Sequence, residues 1–307
     1  MKVNTLKHGF MIMAHTDFDF LLRMVKILAA PNHHFFIHID RKVDTSMWRG
    51  ELDAIKNITN CHVYSGDSAL LVNHGGYSQV ECELFLLHRA HAEGMDYYHL
   101  LSGQDFPTQS NVKFDTYFES HCGESFMTFD TDEEHEIWKH KKYQDRFRRY
   151  CFTDITHRGS LLVKIACRAF GIINNMVMLR PQIPNIRAGW NWFTWHNTVV
   201  EYVLRAECEQ PIFFNRFHMT SCCDELIFHT LLFPHIDELH IHRRNSLRYI
   251  NWEKQDSSRI RPGGPLILNM DEYDDIRSSG AFFCRKVNPK ISIKLIERLE
   301  EDIKRQP

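Results

Sequence analysis

Tyr97-Tyr98-His99-Leu100-Leu101-Ser102-Gly103-Gln104-Asp105-Phe106-Pro107 is the run on which the fold turns. Its first five residues are apolar or aromatic and read as a buried strand. The next three are small or polar and break it. An acid, Asp105, follows the break. In open α/β sheets ligands bind outside the carboxyl ends of the strands, so an acid at this exit faces a pocket. A plain strand-to-turn exit would look the same, and the weight of the reading comes from the flanking segments.

Upstream, strand and helix signals alternate. Residues 9–15 form a short apolar run that ends in the polar turn His15-Thr16-Asp17. Asp17 is placed to cap a helix whose apolar positions Phe20, Leu21, Met24, Val25 and Leu28 recur at helical spacing, and Pro31-Asn32 stops it. Residues 34–40 make a second strand and residues 61–64 a third. Gly75-Gly76 opens a long helix over 78–93, with Val80, Leu84, Leu86 and Leu87 on its buried side. Strand, helix, strand, helix, strand predicts parallel pairing with right-handed crossovers, a nucleotide-binding type of sheet.

The chain has 307 residues, 43% hydrophobic and 25% charged, ordinary for a globular protein. Its 37 Lys and Arg against 39 Asp and Glu give a net charge of −2, so no global attraction to nucleic acid or anionic membrane is expected. The start lacks the apolar core of a signal peptide. Residues 160–179 are the most apolar stretch, but Lys164, Arg168 and two Asn interrupt it, too polar for a membrane span. Nine Cys without a Cys-x-x-Cys pair read as free thiols of a reducing cytosol. Among 20 His, the pair His240 and His242 would project from one face of a strand, which reads as a polar face before it reads as a metal site.

The middle of the chain differs. Residues 130–136 are acidic, and residues 139–149 are basic, with Tyr143, Phe147 and Tyr150 interleaved. Basic residues with aromatics suggest nucleic acid, but the adjoining acidic block nearly cancels the charge. A solvated or acceptor-facing helix is the expectation, continuing into a partly amphipathic helix over 159–179. Beyond it, Trp190, Trp192 and Trp195 are expected on one face of an extended strand, where core filling is the default and sugar stacking the alternative. A helix over 198–208 follows. The acids Asp224-Glu225 then precede an apolar helix over 226–232, a placement that dipole complementation alone could explain. No Pro-, Gly- or Ser-rich linker and no internal repeat divides the chain.

Four segments in order resemble the core-2/I-branching N-acetylglucosaminyltransferase and peptide-O-xylosyltransferase family, glycosyltransferase family 14. They are Ile37-His38-Ile39-Asp40-Arg41-Lys42; Leu100-Leu101-Ser102-Gly103-Gln104-Asp105-Phe106-Pro107; residues 189–195 with Val200-Glu201-Tyr202-Val203; and Leu247-Arg248-Tyr249-Ile250-Asn251-Trp252 with Phe282-Phe283-Cys284-Arg285-Lys286-Val287. The resemblance runs from about residue 10 to residue 288 and is weakest over 138–179, where acceptor recognition diverges in the family. It implies one α/β, GT-A-like domain over 1–307: a nucleotide-binding half (1–130), a variable helical region (131–188) and an acceptor and catalytic half (189–307).

The resemblance also implies an inverting transfer from a UDP-sugar, GlcNAc or xylose, to a glycan or glycolipid hydroxyl, with no metal and no cofactor. The Asp-x-Asp motif that holds a metal in most GT-A enzymes is replaced here by Gly103-Gln104-Asp105. Cationic side chains can neutralise the leaving diphosphate instead. By the family pattern these are Lys286 and either Arg261 or Arg259. The family's general base maps to Glu225, although Cys222-Cys223 departs from the usual Ser-Pro or Val-Pro before the acid pair. Ala14, His15 and Asp40 are expected at the uridine, with Asp40 accepting from the uracil N–H, or else only capping its own turn. Asp105 and Trp192 are expected to line the sugar pocket, Asp105 bonding hydroxyls. Vertebrate members carry a membrane anchor and disulfides, so the expectation here is a bacterial-type cytoplasmic enzyme with at most peripheral membrane contact and no nucleic-acid partner. Two other readings compete: a glycosidase using Asp105 and Glu225 as paired carboxylates, and a lectin-like or RNA-binding module built on the Trp strand and the basic helix.

Overall fold

A computed structural model describes residues 5–138, 143–177, 180–252, 259 and 264–306. The first half reads β1 (His8–Ala14), α1 (Phe18–Leu28), β2 (His33–Ile39), α2 (Arg49–Lys56), β3 (Cys61–Tyr64), α3 (Ser78–Ala92), β4 (Tyr97–Ser102), β5 (Asp105–Pro107), α4 (Asn111–Ser120) and β6 (Ser125–Phe129). A helical stretch follows: α5 (Asp132–Trp138), α6 (Gln144–Arg148), α7 (Thr153–Arg158) and α8 (Leu161–Val177). The last part holds β7 (Gly189–His196), α9 (Asn197–Glu209), α10 (Pro211–Asn215), α11 (Ile227–Leu232), β8 (Ile241–His242), β9 (Arg248–Ile250), α12 (Tyr273–Ser278), β10 (Phe283–Arg285) and α13 (Ile293–Arg305).

The main sheet runs β3-β2-β1-β4-β7-β6-β8. β1 pairs in parallel with β2 and β4, and β2 with β3, as the alternation of strand and helix predicts. β7 enters antiparallel beside β4 and carries β6 antiparallel on its other side. The chain lays β2 and β3 to one side of β1 and then returns to place β4 on the other. This reversal opens a crevice between the exits of β1 and β4. A second sheet, β5-β10-β9, lies beyond that exit.

Alternation along each strand sends side chains to two cores. Phe10, Ile12 and Leu101 pack under α1, α4 and α13, while Met11, Leu100, Phe193 and Trp195 pack under α3 and α9. The expected single Trp face is therefore wrong. Trp190 and Trp192 share a face and are half-buried, whereas Trp195, an odd number of residues from both, is fully buried on the other face and stacks on Phe193 at 3.4 Å. Asp17 also departs from expectation. It sits in the left-handed region (φ 56°) and makes no side-chain cap; its backbone carbonyl takes the Leu21 N–H instead. His240 lies in a turn, and His242 pairs with Glu124 at 2.7 Å and stacks on Phe126, so the two histidines do not share a strand face. All nine cysteines are free. Among the described residues no helix is long and apolar enough to cross a membrane.

Candidate active site

The parallel strands deliver their carboxyl ends to one edge. The Asp40 N–H donates to the Ala14 carbonyl (3.1 Å) and the Gly103 N–H to that of Met13 (3.0 Å), which ties the exits of β2 and β4 to β1. A Cβ on Gly103 would sit 3.3 Å from the Ala14 Cβ, so a side chain there would press the β1 and β4 exits apart. Ala14 is buried and His15 exposed at this rim. The Asp40 carboxylate accepts from the Lys42 N–H (3.0 Å) and lies 3.3 Å from the Lys42 ammonium, so it holds the Arg41-Lys42 turn.

β5 and β10 pair antiparallel with Arg285 directly opposite Asp105. The Arg285 guanidinium donates to both Asp105 oxygens (3.1 and 3.2 Å) and to Ser102 Oγ (2.6 Å). Its face lies 3.8 Å over the Trp192 ring, a cation–π contact. The Asp105 side chain is 1% exposed and also accepts from the Ser102 N–H. Its oxygens are taken, so Asp105 is placed to hold Arg285 and not to meet a sugar hydroxyl as expected. Arg248 lies beneath, buried, and donates to the carbonyls of Leu100 (2.9 Å) and Phe193 (2.7 Å) and to Thr194 Oγ1 (3.1 Å). It clamps β4 to β7, and burial pulls its pKa down to about 9. The Val287 N–H donates to the Gln104 carbonyl (3.0 Å), which lays the half-buried Lys286 alongside the Gly103-Gln104 turn.

The second group lies on a one-turn 3₁₀ segment, Cys223–Glu225, entered through Cys222 in the left-handed region (φ 47°). The Cys222 N–H donates to the Gly75 carbonyl (3.0 Å), which anchors the turn to the loop before α3. The departure from the family's usual residues thus leaves a well-formed turn. The Glu225 side chain, 39% exposed, accepts from Arg146 of α6 at 2.6 Å through Oε2. Asp224 points inward: its Oδ2 accepts from Gln79 and Asn191, both at 3.2 Å, while Oδ1 is buried with no partner. Burial, and then the charge of Glu225, push the Asp224 carboxyl up to about 7. Glu83 of α3 is wholly buried behind it, with Asp224 and Asn191 facing it; burial and then Asp224 hold its pKa well above the usual carboxylate range. Such a pair is stable only with a proton on at least one member.

The two groups meet at the start of β7. Asn191 faces Asp224 on one side of the strand and Trp192 carries Arg285 on the other. Because β7 runs antiparallel to β4, its first residues lie beside the Ser102 exit. The structure thus places Ala14, Asp40 and Trp192 at strand ends of the main sheet, with Asp105 and Lys286 at the small sheet that follows the β4 exit. Arg259 lies elsewhere in its interactions: it is 12% exposed and bound to Glu272 through two nitrogens at 2.9 and 3.1 Å, with Asp271 at 3.6 Å. Arg261 lies outside the described residues. Sequence reading passed over Arg285, Arg248, Arg146, Asn191 and Glu83. The adjoining Lys286 drew the attention at 285, and nothing local marks Glu83, a charged residue on the apolar side of a helix, except that phase itself. Among the described residues no group of three His, Cys, Asp or Glu is placed to hold a metal.

The sequence model of the Core-2/I-branching enzyme family matches residues 9–275. The chain is also similar to a protein named xylosyltransferase sqv-6 from Caenorhabditis briggsae, at 24% identity over 307 aligned residues. That alignment covers 91% of this chain and 34% of the relative, so the chain spans about a third of the length of the curated protein it matches.

Proposed function

The chain belongs to the Core-2/I-branching enzyme family, a family of glycosyltransferases, and from that premise we propose an inverting, metal-independent transfer of GlcNAc or xylose from a UDP-sugar to a hydroxyl of a glycan or glycolipid. The observation that carries the reading is that the turn bearing Glu225, held by Arg146, is tied to the start of β7 through Asp224 and Asn191, while the next residue, Trp192, carries Arg285 at the β4 exit. Glu225 takes the proton of the acceptor hydroxyl as that oxygen attacks the anomeric carbon. The bond from that carbon to the diphosphate breaks, and its electron pair leaves with UDP. Attack opposite the leaving group turns an α-linked donor into a β-linked product. Arg146 fixes the orientation of Glu225. Lys286 and Arg261 meet the growing charge on the diphosphate; Arg259, already committed to Glu272, is the weaker choice. Ala14, His15 and Asp40 take the uridine. Trp192, its one face covered by Arg285, borders the sugar, and Asp105 serves it indirectly by fixing Arg285 and Ser102.

The geometry gives the competing readings less support. A glycosidase needs two carboxylates flanking one bond, and Asp105 is locked under Arg285. A nucleic-acid module needs aromatic faces in the basic stretch, but Tyr143 and Phe147 are both 1% exposed in the core, Tyr150 is half-buried beside Phe152 and Phe170, and Arg146 is spent on Glu225. A panel of UDP-sugars offered to the purified protein in EDTA, read by thermal shift and by acceptor-dependent UDP release, tests the proposal. One donor should stabilise the fold and be consumed. Activity that is lost in EDTA and restored by manganese would refute the metal-independent mechanism.

A further inference from the structure

Helix α8 is built with its apolar side facing out. Val163, Cys167 and Gly171 are partly buried and Asn174 is buried, and this narrow stripe of small side chains is the side that meets the protein. Asn174 fixes it by a two-way bond with the Tyr150 backbone, accepting at 2.8 Å and donating at 3.0 Å. At 100° per residue the remaining apolar positions form one continuous arc about half the helix circumference wide. On that arc Leu161 is 73%, Leu162 78%, Ile165 55%, Ile172 65%, Ile173 53% and Met176 82% exposed. Scattered exposed apolar residues need no explanation, but a contiguous patch of this size marks an interaction surface.

Charge identifies what the arc meets. Lys164 and Arg168 flank it on one edge, and residues 161–177 contain no acid. A wide apolar arc bordered by cations, on a helix with no acid, is the signature of a helix lying in the interface of an anionic bilayer. Seventeen residues span only about 26 Å along the axis, short of a hydrocarbon core, so the helix lies along the surface. We infer that α8 docks the protein on an anionic membrane, its apolar arc in the acyl boundary and Lys164 and Arg168 at the headgroups. The segment Tyr150 that seats α8 follows directly on α6, which carries Arg146 to Glu225, so docking would set the acceptor side of the site toward the lipid. The docking surface stands independently of the reaction assigned to the site.

Flotation of the full chain with vesicles of phosphatidylcholine alone and of an equimolar phosphatidylcholine–phosphatidylglycerol mixture tests this. The protein should float with the anionic vesicles, less with the neutral ones, and less as salt rises. The double variant Ile165→Glu/Ile173→Glu, at positions more than half exposed, should lose at least about tenfold in binding while keeping its melting temperature. Lys164→Glu/Arg168→Glu should abolish the preference for anionic lipid. No binding to either vesicle, or undiminished binding by the first double variant, would overturn the inference. So would a vesicle-free dimer, seen by light scattering, that the same variant dissociates, because the arc would then be the contact between two copies of this chain.

Discussion

Arg285 is the residue on which the cationic end of the site depends. It neutralises a carboxylate that is 1% exposed, bonds Ser102 and covers Trp192. Removing one partner of a buried ion pair leaves an uncompensated charge, which costs roughly 3–5 kcal/mol. Arg285→Ala should therefore destabilise the fold by about that amount in chemical denaturation, and adding Asp105→Asn should restore most of it. If the single variant is as stable as wild type, the pair does not hold the β5/β10 junction. Lys286→Ala should behave differently: stability near wild type, but a loss of about 3 kcal/mol of transition-state stabilisation, read as a drop in kcat/KM. The contrast explains why the sequence led to 286 and not 285. A family motif marks a lysine, whereas the partner that makes Arg285 important lies 180 residues away in the chain.

At the scale of elements, the turn at Cys223–Glu225 joins β7, α3 and α6 through Asn191, Gln79, Glu83 and Arg146. Its acid Asp224 has a folded pKa raised from 3.8 to about 7 by burial and by Glu225. A carboxyl raised on folding stabilises below its unfolded value, and that contribution disappears as pH rises through the folded one. Asp224→Asn keeps the shape without the charge, so it should gain on wild type by on the order of 1–3 kcal/mol between pH 5 and pH 8. Melting curves of both proteins at the two pH values measure this; equal differences at both would show that Asp224 is ionised throughout. The long elements were legible because apolar runs and helical spacing are local: β1, β2, β3, α3 and β4 stand within a residue or two of where the pattern puts them. The three-residue strands β5, β9 and β10 carry no such signal, since only their mutual pairing makes them strands. Trp195 escaped through parity, a one-residue phase that reverses the face.

For the molecule as a whole, the sheet sandwiches a histidine-bearing core. His8 and His99 stack among Phe10, Tyr97, Phe114 and Phe118, and burial pulls His8 down to about 3 and His99 well below its ordinary value. His229 is likewise pulled to about 3. Unfolding lets all three protonate near 6.5, so their contribution is complete above that pH and is lost as pH falls toward 3. Asp224 acts in the opposite sense between about 4 and 7, and Glu83, held well above its ordinary value by burial, acts in the same sense as Asp224. Below about pH 5 the three histidines, charged when unfolded and neutral when folded, outweigh the two carboxyls, so stability should fall as pH drops from 5 toward 3. A titration of unfolding free energy that is flat over this range would show that the buried histidines can take up protons without unfolding.

The central claim is that Glu225, on the turn tied to the start of β7 through Asp224 and Asn191, is the base, while Trp192 and Arg285 on the other face of that strand start border the donor. Glu225→Gln separates the two, because it keeps the size and polarity of the side chain and removes its proton-accepting charge. On a single preparation, donor affinity by titration calorimetry and sugar transfer to an acceptor should be measured for wild type and variant. The UDP-sugar should bind the variant as tightly as it binds wild type, while transfer falls by about two to four orders of magnitude. Transfer by the variant at near wild-type rate, or loss of donor binding together with transfer, would contradict the assignment of Glu225 as the base.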